Sequence, residues 1–389
     1  MDNSRKVILK PGKEKALRNR HPWIFSGAVD AFPSFLDGEV LPVYSASGDF
    51  LAQAYFHSKN SISGRVLSFS DLPIQQVVRQ KIKSAIALRR FDREKTNCYR
   101  LVNAEGDFLP GLVIDLYDDL AVMQVNTCGM ERLKPLIVDT LKEHLNLRGI
   151  YEKSHSSARR QEGLLDAVGP LYGDCPKEIL VKENGLSFLV PIEGGQKTGL
   201  FLDQREMRQL IFRLSKQKRV LNCFSYLGGF SLFALHGGAV SATSIDASER
   251  ALRYAKENTL LNHFSQSEHQ TVHADVFDYL KQCDESFDIV ILDPPAFAKK
   301  RADVTDACAG YKEINRHAMQ KMPKDSYLLT FSCSHFIDEN LFGQIVFQAA
   351  IEAGRDALIC SRHIQAIDHP ISLFHPEGAY LKGLLLHIS

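Results

Sequence analysis

From Arg219 onward the chain alternates short aliphatic runs with helical spacings, and this rhythm constrains its fold more than any other feature. The runs Arg219 to Cys223, Ala242 to Asp246, Thr271 to His273, Phe287 to Leu292, Ser326 to Ser332, Ala357 to Arg362 and Tyr380 to His387 read as strands. Helices are expected from Gly229, over Ser248 to Leu261, from Val276, over Tyr311 to Met322 and over Ile337 to Ala353. Ser248 suits an N-cap and Gly354 a C-terminal stop. Strands and helices in alternation build a mostly parallel, doubly wound sheet covered on both faces, so the expected class is α/β. In such sheets ligands bind outside the carboxyl ends of the strands, and chemistry is to be sought there.

Three strand ends carry suitable groups. Val220 to Phe230 is a strand, a turn with Gly228-Gly229 and a helix start, and Asp246 ends the next strand, about 20 residues on, the spacing at which a carboxylate meets ribose hydroxyls. The dinucleotide pattern G-x-G-x-x-G is absent, which favours a nucleoside without a pyrophosphate. Asp275 ends the third strand and is placed to accept from an adenine amino group, while the helix start near Gly229 suits a carboxylate. S-adenosylmethionine fits both ends. The expected cofactor residues are Phe224, Ser225, Tyr226, Gly228, Asp246, Ala247, Asp275, Val276 and Asp293, together with Arg205, which either pairs with the methionine carboxylate or bridges elements structurally. Lys197-Thr198-Gly199 lacks Walker spacing and reads as part of a lid or strap.

The run Ile289 to Leu292 ends at Asp293-Pro294-Pro295-Ala296-Phe297. Proline offers no N–H, so the ladder stops there, leaving either a plain turn or a carboxylate presented with carbonyls to a substrate. The neighbouring strand ends Ser332-Cys333-Ser334. Cytosine C5 is too weak a nucleophile to take a methyl group directly, but a thiolate adding at C6 makes it enamine-like, and an acid near N3 stabilises the adduct. Cys333 and Asp293 supply those roles, with Pro294, Pro295 and Phe297 at the base. The competing enzymatic reading is methylation of an exocyclic amine held by Asp293 and the Pro294 carbonyl; the non-enzymatic one is an RNA-binding or assembly factor with a vestigial cofactor site.

The amino-terminal part reads differently. Short alternating runs at Val40 to Tyr44, Phe50 to Phe56 and Gly64 to Phe69 suggest a small β module, and the first 20 residues hold seven lysines and arginines against two acids. In a chain of net charge +1 such a cluster is a local phosphate-binding footprint or a solvated face. Lys10, Lys13, Arg18 and Arg20 are the expected RNA contacts, and Trp23 reads as core. A helix from Leu72 to Arg93 and an α+β segment with strands at Tyr99 to Asn103, Leu112 to Tyr117, Leu120 to Asn126 and Arg148 to Glu152 follow, with a loop over Ser154 to Gly163 and a hairpin turning at Asn184-Gly185. Eight scattered cysteines without a Cys-x-x-Cys pair argue against zinc and disulfides. No apolar stretch is long enough to span a membrane, and the chain reads as cytoplasmic.

Taken together, Lys10-Pro11-Gly12 with Arg20 to Gly27 resembles the opening of a PUA RNA-binding domain. Lys197-Thr198-Gly199 with Phe201 to Arg205, Leu221 to Phe230, Asp293 to Phe297, Gly310 to Asn315 and Phe331-Ser332-Cys333-Ser334 resemble the PUA-containing 23S ribosomal RNA cytosine-5 methyltransferases. The resemblance implies a PUA-like domain (1–70), a central strand-strand-helix-strand-strand domain (71–183) and a class I methyltransferase domain (184–389). It implies S-adenosylmethionine as cofactor, large-subunit ribosomal RNA as partner with a homodimer left open, neither membrane nor metal, and Cys333 as nucleophile. Related RNA cytosine-5 enzymes carry a second cysteine where this chain has Ala296, so the base that removes the C5 proton stays open between Cys308 and His335.

Overall fold

Aliphatic and aromatic residues at alternate positions turn the first part of the chain into sheet, and the computed structural model, which describes residues 5–389, shows which strands they form. Val7–Leu9 (β1), Trp23–Phe25 (β2), Val29–Ala31 (β3), Val40–Tyr44 (β4), Phe50–Phe56 (β5) and Ile62–Ser68 (β6) make a six-stranded sheet in the order β2-β6-β5-β4-β1-β3, with the short helix Lys15–Arg18 (α1) after β1. Helix Ile74–Leu88 (α2) buries Val77, Val78, Ile82 and Ala85 at the spacing of one helical face.

Cys98–Asn103 (β7), Leu112–Tyr117 (β8), Leu120–Val125 (β9), helix Cys128–His144 (α3), Gly149–Ser154 (β10) and Ala167–Gly173 (β11) form a second sheet ordered β11-β10-β9-β8-β7. The strand-strand-helix-strand-strand unit is present, with β7 added. The expected loop over Ser154 to Gly163 is instead occupied by helix Ser157–Gln161 (α4). Ser156 caps it, accepting from Arg159 N at 3.1 Å, and Arg159 is buried, donating to Val125 O, Leu165 O and Glu131. The polar run is thus a capped helical turn whose buried arginine ties it to the sheet, not a loop. Trp23, expected in the core, is only partly buried; it donates from Nε1 to Glu105 at 3.0 Å and packs edge-on against His375, so it is held at the margin of the sheet.

Glu178–Glu183 (β12) and Leu186–Pro191 (β13) form a hairpin, followed by helix Arg205–Leu214 (α5). Then come Arg219–Cys223 (β14), Gly229–His236 (α6), Ser241–Asp246 (β15), Glu249–Leu261 (α7), His269–His273 (β16), Val276–Gln282 (α8), Ile289–Leu292 (β17), Val304–Lys321 (α9), Ser326–Ser332 (β18), Glu339–Ala353 (α10), Ala357–His363 (β19) and Lys382–Ile388 (β20). The seven-stranded sheet runs β16-β15-β14-β17-β18-β20-β19. The first five are parallel and β20 is antiparallel to both neighbours. Strand order reverses between β14 and β17, the crevice where such sheets bind ligands.

By compactness the described chain falls into two units. One holds the first two sheets, residues up to Ile179 with Pro191–Gly199 and Ile367–Gly378; the other holds Leu180–Val190, Leu200–Ala366 and Ala379–Ser389. The segment Ile367–Gly378 is tied into the first unit: Asp368 accepts from Arg89 and from Arg100 N, and the Pro370 carbonyl from Asn103. Among the described residues, no helix is long and apolar enough to cross a membrane.

Candidate active site

The site starts with a tight turn. After β14, Phe224, Tyr226 and Gly228 all adopt left-handed φ values of 59, 48 and 78°. A side chain forced into that region costs about 1–2 kcal/mol, so two within three residues need external support. Asp246, at the end of β15, provides it: one carboxylate oxygen accepts from Tyr226 N and the other from Ser248 N, each at 2.8 Å, while Ser225 N donates to Ile245 O. Gly228 is needed twice over, since a Cβ there would also lie 3.0 Å from that of Ala255.

Beside the turn, Asp275 caps α8, accepting from Phe277 N at 2.8 Å and Asp278 N at 3.3 Å through one oxygen. Its carboxylate is exposed at the strand end. Val276 beneath it is core, and the Ala247 carbonyl accepts from His273 at 2.9 Å. Phe224, Ser225, Tyr226, Gly228, Asp246, Ala247, Asp275 and Val276 thus cluster at the carboxyl ends of β14, β15 and β16. The backbone cradle at the start of α6 with two carboxylates at successive strand ends fits a nucleoside carrying an anionic tail.

Arg205 opens α5. It is buried 3.6 Å from Glu183, which Arg208 also holds through two hydrogen bonds of 2.6 and 2.7 Å. Asp203, two residues earlier, accepts from the Tyr380 hydroxyl at 2.6 Å. Lys197-Thr198-Gly199 belongs to the first unit, where Thr198 donates to Asp115 at 2.6 Å.

On the other side of the crevice β17 pairs with β18 in parallel, with Leu292 opposite Thr330. Asp293 and Cys333 therefore leave adjacent strands at the same sheet edge. The Cys333 Sγ, partly exposed, lies 3.9 Å from the Pro294 carbonyl oxygen. Ser334 fixes both loops: its hydroxyl accepts from Ala298 N at 3.1 Å and pairs with the Tyr311 hydroxyl at 2.9 Å. Phe297 packs on Tyr311 with ring centroids 4.5 Å apart and on Phe277 at 5.9 Å, so its ring is held by α8 and α9. Pro295 is exposed.

Lys382 is the residue that sequence reasoning missed. It opens β20 opposite Ser332, and its ammonium donates to Ser334 O and Tyr380 O at 2.7 and 2.8 Å. Burial holds its pKa below the usual lysine value, while attraction from Cys333 and Asp338 opposes that. Of the two candidate bases, Cys308 sits partly buried on α9, its thiol pushed up by burial, and His335 is exposed two residues after Cys333.

The basic residues expected to meet RNA are spread over the first sheet. Arg18 is paired with Asp49 at 2.9 Å, Lys10 donates to Gly27 O, Lys13 is exposed and Arg20 lies against Phe69 and Phe374. One trio, His57, Cys128 and Glu162, brings metal-ligand types within 4.8 Å. Glu162 there already accepts from Arg65 and Asn60, and burial, aided by Glu162, pushes the Cys128 thiol up to about 11, which suits a packed thiol.

Sheet order, strand-end acids and the turn at Gly228 define a class I methyltransferase, and comparison with known proteins agrees. A model of S-adenosylmethionine-dependent methyltransferases matches residues 165–339, and a PUA-like domain model matches residues 7–69. The protein is thus an S-adenosylmethionine-dependent methyltransferase with an amino-terminal PUA-like domain. Ribosomal RNA large subunit methyltransferase I of Aliivibrio fischeri is 41% identical over 98% of this chain and 99% of its own length; that of Vibrio cholerae is 42% identical over 97% and 98%. The chain belongs to this methyltransferase I family. Among solved structures, a SAM-dependent methyltransferase from Streptococcus mutans superposes with a TM-score of 0.84 at 25% identity, covering 98% of this chain and 99% of its own. The methyltransferase SMU.776, solved with S-adenosylhomocysteine, gives 0.85 at 26% over the same shares.

Proposed function

We propose that this chain methylates C5 of a cytosine in large-subunit ribosomal RNA, 23S RNA, through a covalent adduct with Cys333. The observation that carries the reading is a thiol at the end of β18, 3.9 Å from the Pro294 carbonyl that follows Asp293, with the Lys382 ammonium engaged at the next residue. Bound S-adenosylmethionine supplies an electrophilic methyl group. Cys333, as thiolate, attacks C6 of the base while Asp293, in its acid form, gives its proton to N3, so that C5 becomes enamine-like and nucleophilic; N3 returns that proton to Asp293 when the adduct breaks down. Loss of the C5 proton to a base then expels the thiolate and restores aromaticity. The relatives' names, ribosomal RNA large subunit methyltransferase I, support the RNA class. Because the ring must be reached face-on, the cytosine has to be single-stranded or flipped from its stack.

Phe297 argues for carbon over nitrogen. An amine methyltransferase places its stacking aromatic directly after the prolines, where this chain has Ala296, and the Phe297 ring one position on rests against Tyr311 and Phe277. Incubation with labelled S-adenosylmethionine and ribosomal RNA is the test. Cys333→Ser is expected to abolish 5-methylcytosine; undiminished methylation in that variant overturns the nucleophile, and an N-methylated product overturns the carbon assignment. Failure of the wild type to methylate any RNA favours a binding or assembly factor.

A further inference from the structure

Far from the strand-end acids in sequence, the first unit contains a cavity of about 410 Å³ between β6, α2 and the turns carrying Arg20, Phe108 and Ser372. That volume falls in the range of small-molecule sites. Its charge is one-sided: the lining includes Arg20 and Lys81 and no aspartate or glutamate. Arg20 is exposed yet fixed, with a left-handed φ of 63° and its guanidinium carbon 5.4 Å from the ring centroids of both Phe69 and Phe374. Lys81 donates to the carbonyls of Leu67 and Phe108. Burial lowers its pKa to about 8, and the charge on Arg20 adds to the effect. Two cations line one cavity, neither with a carboxylate partner among the described residues, and Lys81 has a third N–H beyond the two given to carbonyls, so the lining is complementary to an anion.

The rest of the lining specifies more than an ion. Phe108, 46% exposed, offers a ring face beside Lys81, whose ammonium lies 5.8 Å from its centroid. Gln76 and Gln80 stand four residues apart on α2, hence on one helical face, and their exposed amides give donors and acceptors together. A phosphate for the cations, a flat ring for the phenylalanine and a mixed polar edge for the glutamines describe one chemical class. We propose that this cavity binds a nucleoside phosphate, with the phosphate between Arg20 and Lys81 and the base against Phe108, Gln76 and Gln80. The ligand is either a free nucleotide or one residue of a single-stranded RNA. The proposal stands apart from methyl transfer, so neither reading falls with the other.

Equilibrium dialysis of the full chain tests it, using labelled nucleoside 5′-monophosphates and, separately, a 5′-phosphorylated RNA pentamer. Saturating S-adenosylhomocysteine keeps the methyl-donor site filled. Binding of a monophosphate assigns the cavity to free nucleotides, and binding of the pentamer alone assigns it to a strand. In either case Arg20→Asn, which removes the charge while accepting a left-handed backbone, is expected to weaken binding about tenfold. The double substitution Gln76→Ala, Gln80→Ala on the exposed helix face is expected to reduce discrimination among bases. The proposal is overturned if neither ligand binds the wild type below millimolar concentration, or if Arg20→Asn leaves the affinity unchanged.

Discussion

Cys333 depends on the groups that strand pairing brings beside it. The attraction between Lys382 and a Cys333 thiolate is mutual, so the ammonium favours thiolate over thiol relative to a neutral side chain in its place. Lys382→Met is therefore expected to slow iodoacetamide labelling of Cys333 at neutral pH and to move the labelling profile to higher pH; an unmoved profile would separate the two groups. A second titration concerns stability. His269 is buried between Ser244 and Thr259, and desolvation lowers its pKa to about 4 from the usual 6.5. Between those values the unfolded chain holds a proton that the folded chain refuses. Stability is thus lost as pH falls from about 6.5 to about 4, by roughly 3 kcal/mol in all. Urea midpoints across that window measure it, and the slope should flatten in His269→Gln. At this scale the placement of Asp293 and Cys333 at neighbouring strand ends was legible, because the aliphatic runs before them mark the strands they terminate. Lys382 was not: an unremarked lysine gains meaning only from pairing opposite Ser332.

Among the elements, the turn from Phe224 to Gly228 repays a test. Gly228→Ala adds a left-handed strain of about 1–2 kcal/mol and pushes on Ala255 in α7. Lower urea resistance and weaker binding of S-adenosylhomocysteine by calorimetry are the expected outcomes. Unchanged affinity would remove the turn from the cofactor cradle. The alternation of β14 to β18 with their helices was readable since a parallel strand buried on both faces is a nearly continuous aliphatic run. Helix α4 and strand β11 were not. Arg159 is polar in sequence, yet its guanidinium satisfies carbonyls that would otherwise be buried alone. Strand β11 alternates half-buried and exposed positions and carries Gly169 and Pro170, weak signals for a strand. The return of Ile367–Gly378 to the first unit likewise depends on Asp368 meeting Arg89 and Arg100 across more than 260 residues, which no local pattern records.

For the molecule as a whole, a net charge of +1 leaves any RNA affinity to local patches. The amino-terminal cluster is weaker than its composition suggests, for Arg5 is paired with Glu39 and Arg18 with Asp49. Lys10 and Lys13 remain exposed without a carboxylate partner among the described residues. On the proposed reading, RNA affinity falls steeply with salt, and Lys10→Ala with Lys13→Ala should reduce the log–log slope by about 1.4, at ~0.7 per phosphate contact on a single strand. A slope equal to that of the wild type would move the phosphate contacts elsewhere.

Strand β20 raises a matter of timing. It lies between β18 and β19 although β19 precedes it in the chain. As the polypeptide is synthesised, β19 emerges with no neighbour to join, and β18 waits with one side of its ladder open. Two unpaired strand edges coexist until Lys382–Ile388 slots between them and closes both. Leu358 and Ile359, exposed on β19 even in the finished fold, make that interval a hazard of wrong association. Until β20 is in place, the ladders of β18 and β19 both stand open to a wrong partner.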